Sequence, residues 1–153
     1  MYLETYPEEI IMNRVNVQQA QPEAYNAMFG LEKYLATSTI DSDLQELVRI
    51  RASVINQCQF CISMHTEAAI KLGISGEKIK AVSNWQSSAL FSEKEQAVLK
   101  VTDCMTNIKA QGLPNEIYQS VAEYFSEEEI TQLIMLNATI NAWNRIGISM
   151  SDN

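Results

Sequence analysis

Apolar residues recur along this chain with the three-to-four-residue spacing of helices. No stretch sustains the two-residue alternation of a half-buried strand. A helix is predicted from Pro22 to about Thr37, with Tyr25, Met28, Phe29, Leu31 and Leu35 on its apolar side. The next opens with Asp41 or Ser42 as N-cap and Gln45 as the capping-box partner of Ser42. Its apolar set is Leu44, Leu47, Val48, Ile50, Val54 and Ile55. Asn56-Gln57 reads as a break. A third helix carries Cys58 to Leu72 and stops at Gly73, a residue type suited to the position after a helix. Ser75 caps a short helix reaching about Asn84. Ser92 and Glu95 form a capping box opening a helix from Glu93 to about Ala110. Pro114 suits the first turn of the next helix, and Ser126-Glu127-Glu128-Glu129 opens the last.

That last helix has apolar residues over most of its circumference: Ile130, Leu133, Ile134, Met135, Leu136, Ile140, Trp143 and Ile146. A helix apolar nearly all round is buried nearly all round, and a small domain has few such places, so a subunit interface is expected. Asn144 and Arg145 interrupt the pattern; a buried Arg145 would demand a carboxylate or carbonyl partner. Trp85 and Phe91 read as core anchors, with a pocket-lining role as the lesser alternative. The first twenty residues lack a clear period and are expected to form an arm, with residues 21–153 as one helical domain. The fold class is all-α, a single-domain bundle of six to seven helices.

Composition narrows the function. The chain has 153 residues, enough for one hydrophobic core, and 46% of them are hydrophobic against 20% charged, which fits a globular protein. A net charge of −8 repels phosphate backbones, so nucleic acid is not an expected partner. The first residues show no basic stretch followed by an apolar core, and no apolar run approaches the roughly 18 residues of a membrane span. A cytoplasmic location is expected. No flavin, haem or nucleotide fingerprint is present, and no cofactor is expected. Three cysteines, an odd count, do not read as a secreted disulfide framework. In a reducing compartment a Cys-x-x-Cys is catalytic or metal-binding more often than a structural staple.

The segment NQCQFCISMH, residues 56–65, holds two of the three cysteines and the only histidine. At helical spacing Cys58, Cys61, Ile62, His65, Ala69 and Leu72 form one stripe. The cysteines sit in the first turn, where free backbone N–H groups and the helix dipole favour a thiolate, each by roughly 0.3–1 kcal/mol. A protonated His65 would add to that effect, and burial would oppose it. Three readings follow. The first is core packing, which is the reading for Cys104 among Leu99, Val101 and Met105. The second is zinc on Cys58, Cys61 and His65, which lacks a fourth ligand unless Cys104 or Glu46 supplies it. The third is a redox dithiol with a proton-transferring histidine, which needs only the residues present. From spacing alone, Glu46 reads first as a partner of Arg49.

The sequence ELVRIRASVINQCQFCISMH resembles the signature of the alkylhydroperoxidase D-like branch of the carboxymuconolactone decarboxylase family. Residues 85–106 and 124–148 also resemble family segments. The family pattern is a Glu on one helix, Cys-x-x-Cys opening the next, and a His four residues later. It falls here on Glu46, Cys58, Cys61 and His65. The resemblance implies an all-α fold assembled as a homo-oligomer, a trimer or hexamer. It implies Cys61 as the thiol that attacks a hydroperoxide and Cys58 as the thiol that resolves it. Glu46 and His65 would be a proton relay, and a dithiol, either a small molecule or a lipoyl or thioredoxin-like protein, would be the reductant. Position alone favours Cys58 as the thiol nearer the helix start and Cys61 as the one nearer His65. Two departures stand out. Phe60 occupies a place where some peroxidase members have a second His, and Gln57 one that is often Gly. The alternatives are a non-catalytic oligomeric redox-sensing or stress-response module and a lactone decarboxylase. The decarboxylase branch lacks the cysteine pair.

Overall fold

The computed structural model describes residues 14–151, and all of its regular structure is helical. Eight α-helices follow one another: α1 (Val17–Ala20), α2 (Pro22–Leu35), α3 (Ser42–Ile55), α4 (Gln59–Lys71), α5 (Gly76–Ala81), α6 (Glu93–Thr106), α7 (Asn115–Ala122) and α8 (Glu127–Met150). A 3-10 segment, Val82–Ser87, joins α5 to the loop before α6. The expected arm lies outside the described residues as far as residue 13. Its last part is the single turn α1, capped by Asn16, whose Oδ1 accepts from Gln19 N–H. That turn takes the helix count past six to seven.

α3 is the centre of the fold and packs against α4, α6 and α8. Leu44, Leu47, Val48, Ile50 and Ala52 are all buried on it. Each fully buried Leu, Val or Ile side chain contributes roughly 1.5–3 kcal/mol. That outweighs the few tenths by which Val and Ile fall short as helix formers. Around α3 the core is completed by Leu35, Trp85, Phe91, Val98, Leu99, Val101, Val121, Leu133 and Leu136. Trp85 and Phe91 are thus core anchors, each 4% exposed.

Local signals place most helix starts. Ser92 and Ser126 each form a complete capping box, with Glu95 and Glu129 respectively, and Ser75 caps α5 through Lys78 N–H. Pro114 is the N-cap of α7. The box at Ser42 and Gln45 does not form. Asp41 is the N-cap of α3, and Gln45 is buried with its amide donating to Ile40 O at 2.8 Å. On an inward-facing position the amide satisfies a linker carbonyl that water cannot reach. α6 stops at Thr106 rather than Ala110, because Asn107 leaves the helical region and caps it. Asn84 likewise breaks the expected Ser75–Asn84 helix, which becomes α5 and the 3-10 segment.

The 3-10 segment is tied down by Arg51 and Asp103. The Arg51 guanidinium donates to both carboxylate oxygens of Asp103, at 2.6 and 3.2 Å, and to Ser83 O at 2.9 Å. Trp85 Nε1 and Gln86 Nε2 both donate to Asp103 Oδ2 at 3.2 Å. α8 is less enclosed than its pattern suggests. Asn144 is fully buried and Arg145 points out, bonded only to the backbone and side chain of Asn141. The helix phase puts the amide inward and the charge in solvent. Among the described residues, no helix is long and apolar enough to cross a membrane.

The turn from α3 to α4 is built on Gln57. Cys58 N–H donates to Ser53 O at 3.0 Å and Gln57 N–H to Val54 O at 3.2 Å, the paired bonds of a Schellman turn. That turn requires a left-handed residue, and Gln57 adopts φ +57. A side chain there costs roughly 1–2 kcal/mol, against about 0.5–1 kcal/mol for the freedom glycine loses on folding. Gln57→Gly is therefore expected to stabilise the fold by a net of about 0.5–1 kcal/mol, read as a higher urea midpoint. A lower midpoint would show that the Gln57 side chain holds the turn by itself.

Candidate active site

Cys58 is the N-cap of α4, and Cys61 is its third helical residue. The two are joined as a disulfide with Cα atoms 5.3 Å apart. Both are deeply buried, at 3% and 4% exposure. One side of the sulfurs is closed by α8. A methyl group on Gly147 would sit 3.5 Å from Cys58 Sγ and 3.8 Å from Cys61 Sγ. The stripe expected along α4 holds through Cys61, His65 and Ala69. It fails at Leu72, which caps the helix and is 50% exposed.

The Schellman turn keys the sulfurs to the polar interior. Ser53, whose carbonyl receives Cys58 N–H, also accepts Asn144 Nδ2 at 3.0 Å on its hydroxyl. Asn56 Nδ2 donates to Asn144 Oδ1 at 3.0 Å and to Asn141 Oδ1 at 2.9 Å. Asn141 in turn donates to Thr106 Oγ1 at 3.2 Å. This seam joins α3, α6 and α8 behind the cysteine turn. Sequence reasoning missed it, because its partners lie 35–91 residues apart. Gly147 was also missed. A lone glycine in an apolar helix costs about 1 kcal/mol relative to alanine and so signals a close approach.

Glu46 and His65 come together as the family pattern implies. Glu46 Oε2 lies 2.9 Å from His65 Nδ1, between α3 and α4. An ionised carboxylate only accepts hydrogen bonds, so the proton of this bond sits on Nδ1 and Nε2 is left free. The other oxygen, Oε1, accepts from Arg49 Nη1 at 2.8 Å. The two readings of Glu46, as partner of Arg49 or orienter of His65, are both realised, one on each oxygen. The Glu46 side chain is only 11% exposed. Burial pushes its pKa up, but the His65 hydrogen bond and the Arg49 charge outweigh that, and the net displacement is downward from 4.5. A cleft of about 450 Å³ between α2, α3 and α4 reaches Glu46 and Arg49, with Glu32, Gln45 and Lys71 also on its walls.

Cys104 stands apart on α6 as a free, half-buried thiol. Burial and the neighbouring Asp103 charge both raise its pKa, so it is an unactivated group, and it lies outside the buried core expected for it from the sequence. The zinc set does not assemble. Two of its sulfurs are bonded to each other, and no group of three or more candidate ligands converges among the described residues.

The sequence profile of the Carboxymuconolactone decarboxylase family matches residues 22–103. An uncharacterised protein of Bacillus subtilis, YdfG, is 36% identical over 139 residues, spanning 91% of this chain and 95% of that one. A solved structure from Agrobacterium tumefaciens is a protein of unknown function described as a candidate antioxidant-defence protein AhpD. It is similar with a TM-score of 0.88 and 34% identity, covering 93% of this chain and 97% of the other. The alkylhydroperoxidase AhpD core structure of an uncharacterised peroxidase-related protein from Ralstonia eutropha shares the fold at a TM-score of 0.78. Its identity is 16%, with 90% and 74% of the two chains covered.

A lowered folded-state pKa means that Glu46 contributes stability above its ordinary value of 4.5, and that this contribution is lost as pH falls through the lower folded value. Urea midpoints of the native chain and Glu46→Gln are therefore expected to differ by a constant amount at neutral pH and to converge below 4.5. A gap that widened in acid would contradict the ionised, paired state of Glu46.

Proposed function

Since this chain belongs to the carboxymuconolactone decarboxylase family, we propose that it is a thiol-dependent peroxidase or disulfide oxidoreductase working through Cys58 and Cys61. The observation that carries this reading is the 2.9 Å contact from Glu46 on α3 to His65, which lies on α4 one turn beyond a joined cysteine pair. Core packing would explain buried cysteines but gives no reason for a buried carboxylate to hold the only histidine of the chain.

The cycle starts from the dithiol. His65 Nε2 takes the Cys61 proton while Glu46 stabilises the resulting imidazolium through Nδ1. The Cys61 thiolate attacks one oxygen of the hydroperoxide. The O–O bond breaks, the departing alkoxide takes a proton from His65 and leaves as alcohol, and Cys61 becomes a sulfenic acid. The Cys58 sulfur attacks Cys61, expels water and forms the disulfide seen here. A dithiol donor attacks the disulfide, passes through a mixed disulfide, and leaves oxidised with Cys58 and Cys61 reduced. The balance is one hydroperoxide and one dithiol converted to alcohol, water and one external disulfide.

Cys61 takes the attacking role for its place one turn before His65. The N-cap position of Cys58, three residues before Cys61, suits the resolving thiol. Both thiols are expected to be required. Peroxide consumption with a dithiol reductant should fall by about two orders of magnitude or more in Cys61→Ser. Cys58→Ser should stall after one turnover with a trapped sulfenic acid. Unchanged turnover in both variants removes the enzymatic reading. If oxidation then altered only assembly or partner binding, the redox-sensing module would take its place.

The proposal includes a homo-oligomer. Its support is apolar surface on α4, where Phe60 is 74%, Ile70 58% and Met64 48% exposed, side chains that a neighbouring subunit would remove from water. Sedimentation at micromolar concentration is expected to give a trimer or hexamer. A monomer would remove this part alone.

A further inference from the structure

Glu46 is held by more than the relay needs. The Arg49 guanidinium lies between two carboxylates, with Nη1 2.8 Å from Glu46 Oε1 and Nη2 3.7 Å from Glu32 Oε2. Glu32 sits on α2 and accepts the Trp143 Nε1 hydrogen from α8 at 3.0 Å. Trp143 in turn packs edge-on against Tyr25, with ring centres 5.1 Å apart, and against Phe29 at 5.7 Å. A line of contacts thus runs from the aromatic cluster of α2 and α8, through Glu32 and Arg49, to the carboxylate that holds His65.

We propose that Arg49 is a positioning residue of the site: it pins Glu46 by the oxygen opposite His65, and Glu32 and Trp143 hold Arg49 in place to do so. This deepens the thiol-oxidoreductase reading and rests on it for its catalytic meaning. A glutamate carboxylate has three rotatable bonds behind it. One hydrogen bond to an imidazole fixes neither its plane nor its distance, and a second donor on the other oxygen fixes both. No other group takes that place. The charged groups that face or border Glu46 are Arg49 on its own helix, His65 and Lys71 on α4, and Glu32 on α2. Lys71 is paired with Glu67 at 3.0 Å, in solvent. Arginine is also the side chain suited to this seat. Its planar fork reaches two carboxylates at once, whereas lysine offers a single point of charge.

The test uses the intact, disulfide-bonded chain and its single histidine. Nitrogen-15 NMR of His65 reads which ring nitrogen carries the proton at a pH where the ring is neutral. The native chain is expected to show the proton held on Nδ1. Arg49→Met should shift His65 toward the Nε2–H form that free histidine prefers, and Arg49→Lys should largely restore Nδ1–H. In the turnover assay, Arg49→Met should move the acid limb of the pH profile to higher pH, because the Glu46 carboxylate loses an adjacent positive charge. If Arg49→Met does not fold, Glu32→Gln loosens the same seat from outside and should move the tautomer in the same direction. An unchanged tautomer in the folded variants overturns the positioning role, whatever the turnover. A tautomer that shifts in a protein without peroxidase or disulfide turnover upholds the positioning role and removes the enzymatic reading alone.

Discussion

A buried carboxylate is the constraint around which the α3–α4 corner is arranged. Glu46 is ionised with little access to water, and such a group survives only if both oxygens are matched. An exposed ion pair is worth about 0–1 kcal/mol, whereas breaking a buried one costs about 3–5 kcal/mol. With side-chain exposures of 11–14%, the Arg49–Glu46–His65 set stands nearer the buried case. That demand sets the register of α4 on α3, because His65 must arrive opposite Glu46. It also accounts for Glu32 on α2, which balances a guanidinium that is itself nearly out of water.

The position of the sulfurs follows from the other end of the same two helices. The Schellman turn at Gln57 fixes where α4 begins, so Cys58 caps the helix and Cys61 falls in its first turn. Ser53 links this turn to α8 through Asn144, and three residues further on Gly147 presents bare backbone to both sulfurs. One face of α8 therefore supplies an amide to the polar seam and the empty space beside the disulfide. The long terminal helix is a wall of the site as well as part of the core.

Most of this frame was legible in the sequence where the cause is local. Capping boxes at Ser92 and Ser126 depend on residues three apart, and both formed. The all-α class and the order of the main helices followed from periodicity. The grouping of Glu46 with His65 was legible only through the family resemblance, since spacing alone favoured Arg49. What escaped was decided at long range or by helix phase. Gln45 turned to a linker carbonyl because its position faces inward. Arg145, considered for burial, faces solvent and Asn144 faces inward, because a step of one residue rotates the side chain by about 100°. The amide seam and the Arg49–Glu32–Trp143 line unite residues from opposite ends of the chain, and no local pattern announces them.

The enclosure of the disulfide has a kinetic meaning. With Cys58 and Cys61 only 3–4% exposed, the disulfide is closed to large reagents. A bulky thiol must wait for the corner of α3, α4 and α8 to breathe. Encounters with large reagents are then timed by that local opening. Their rates level off as reagent concentration rises, and the ceiling is the opening rate of the protein itself.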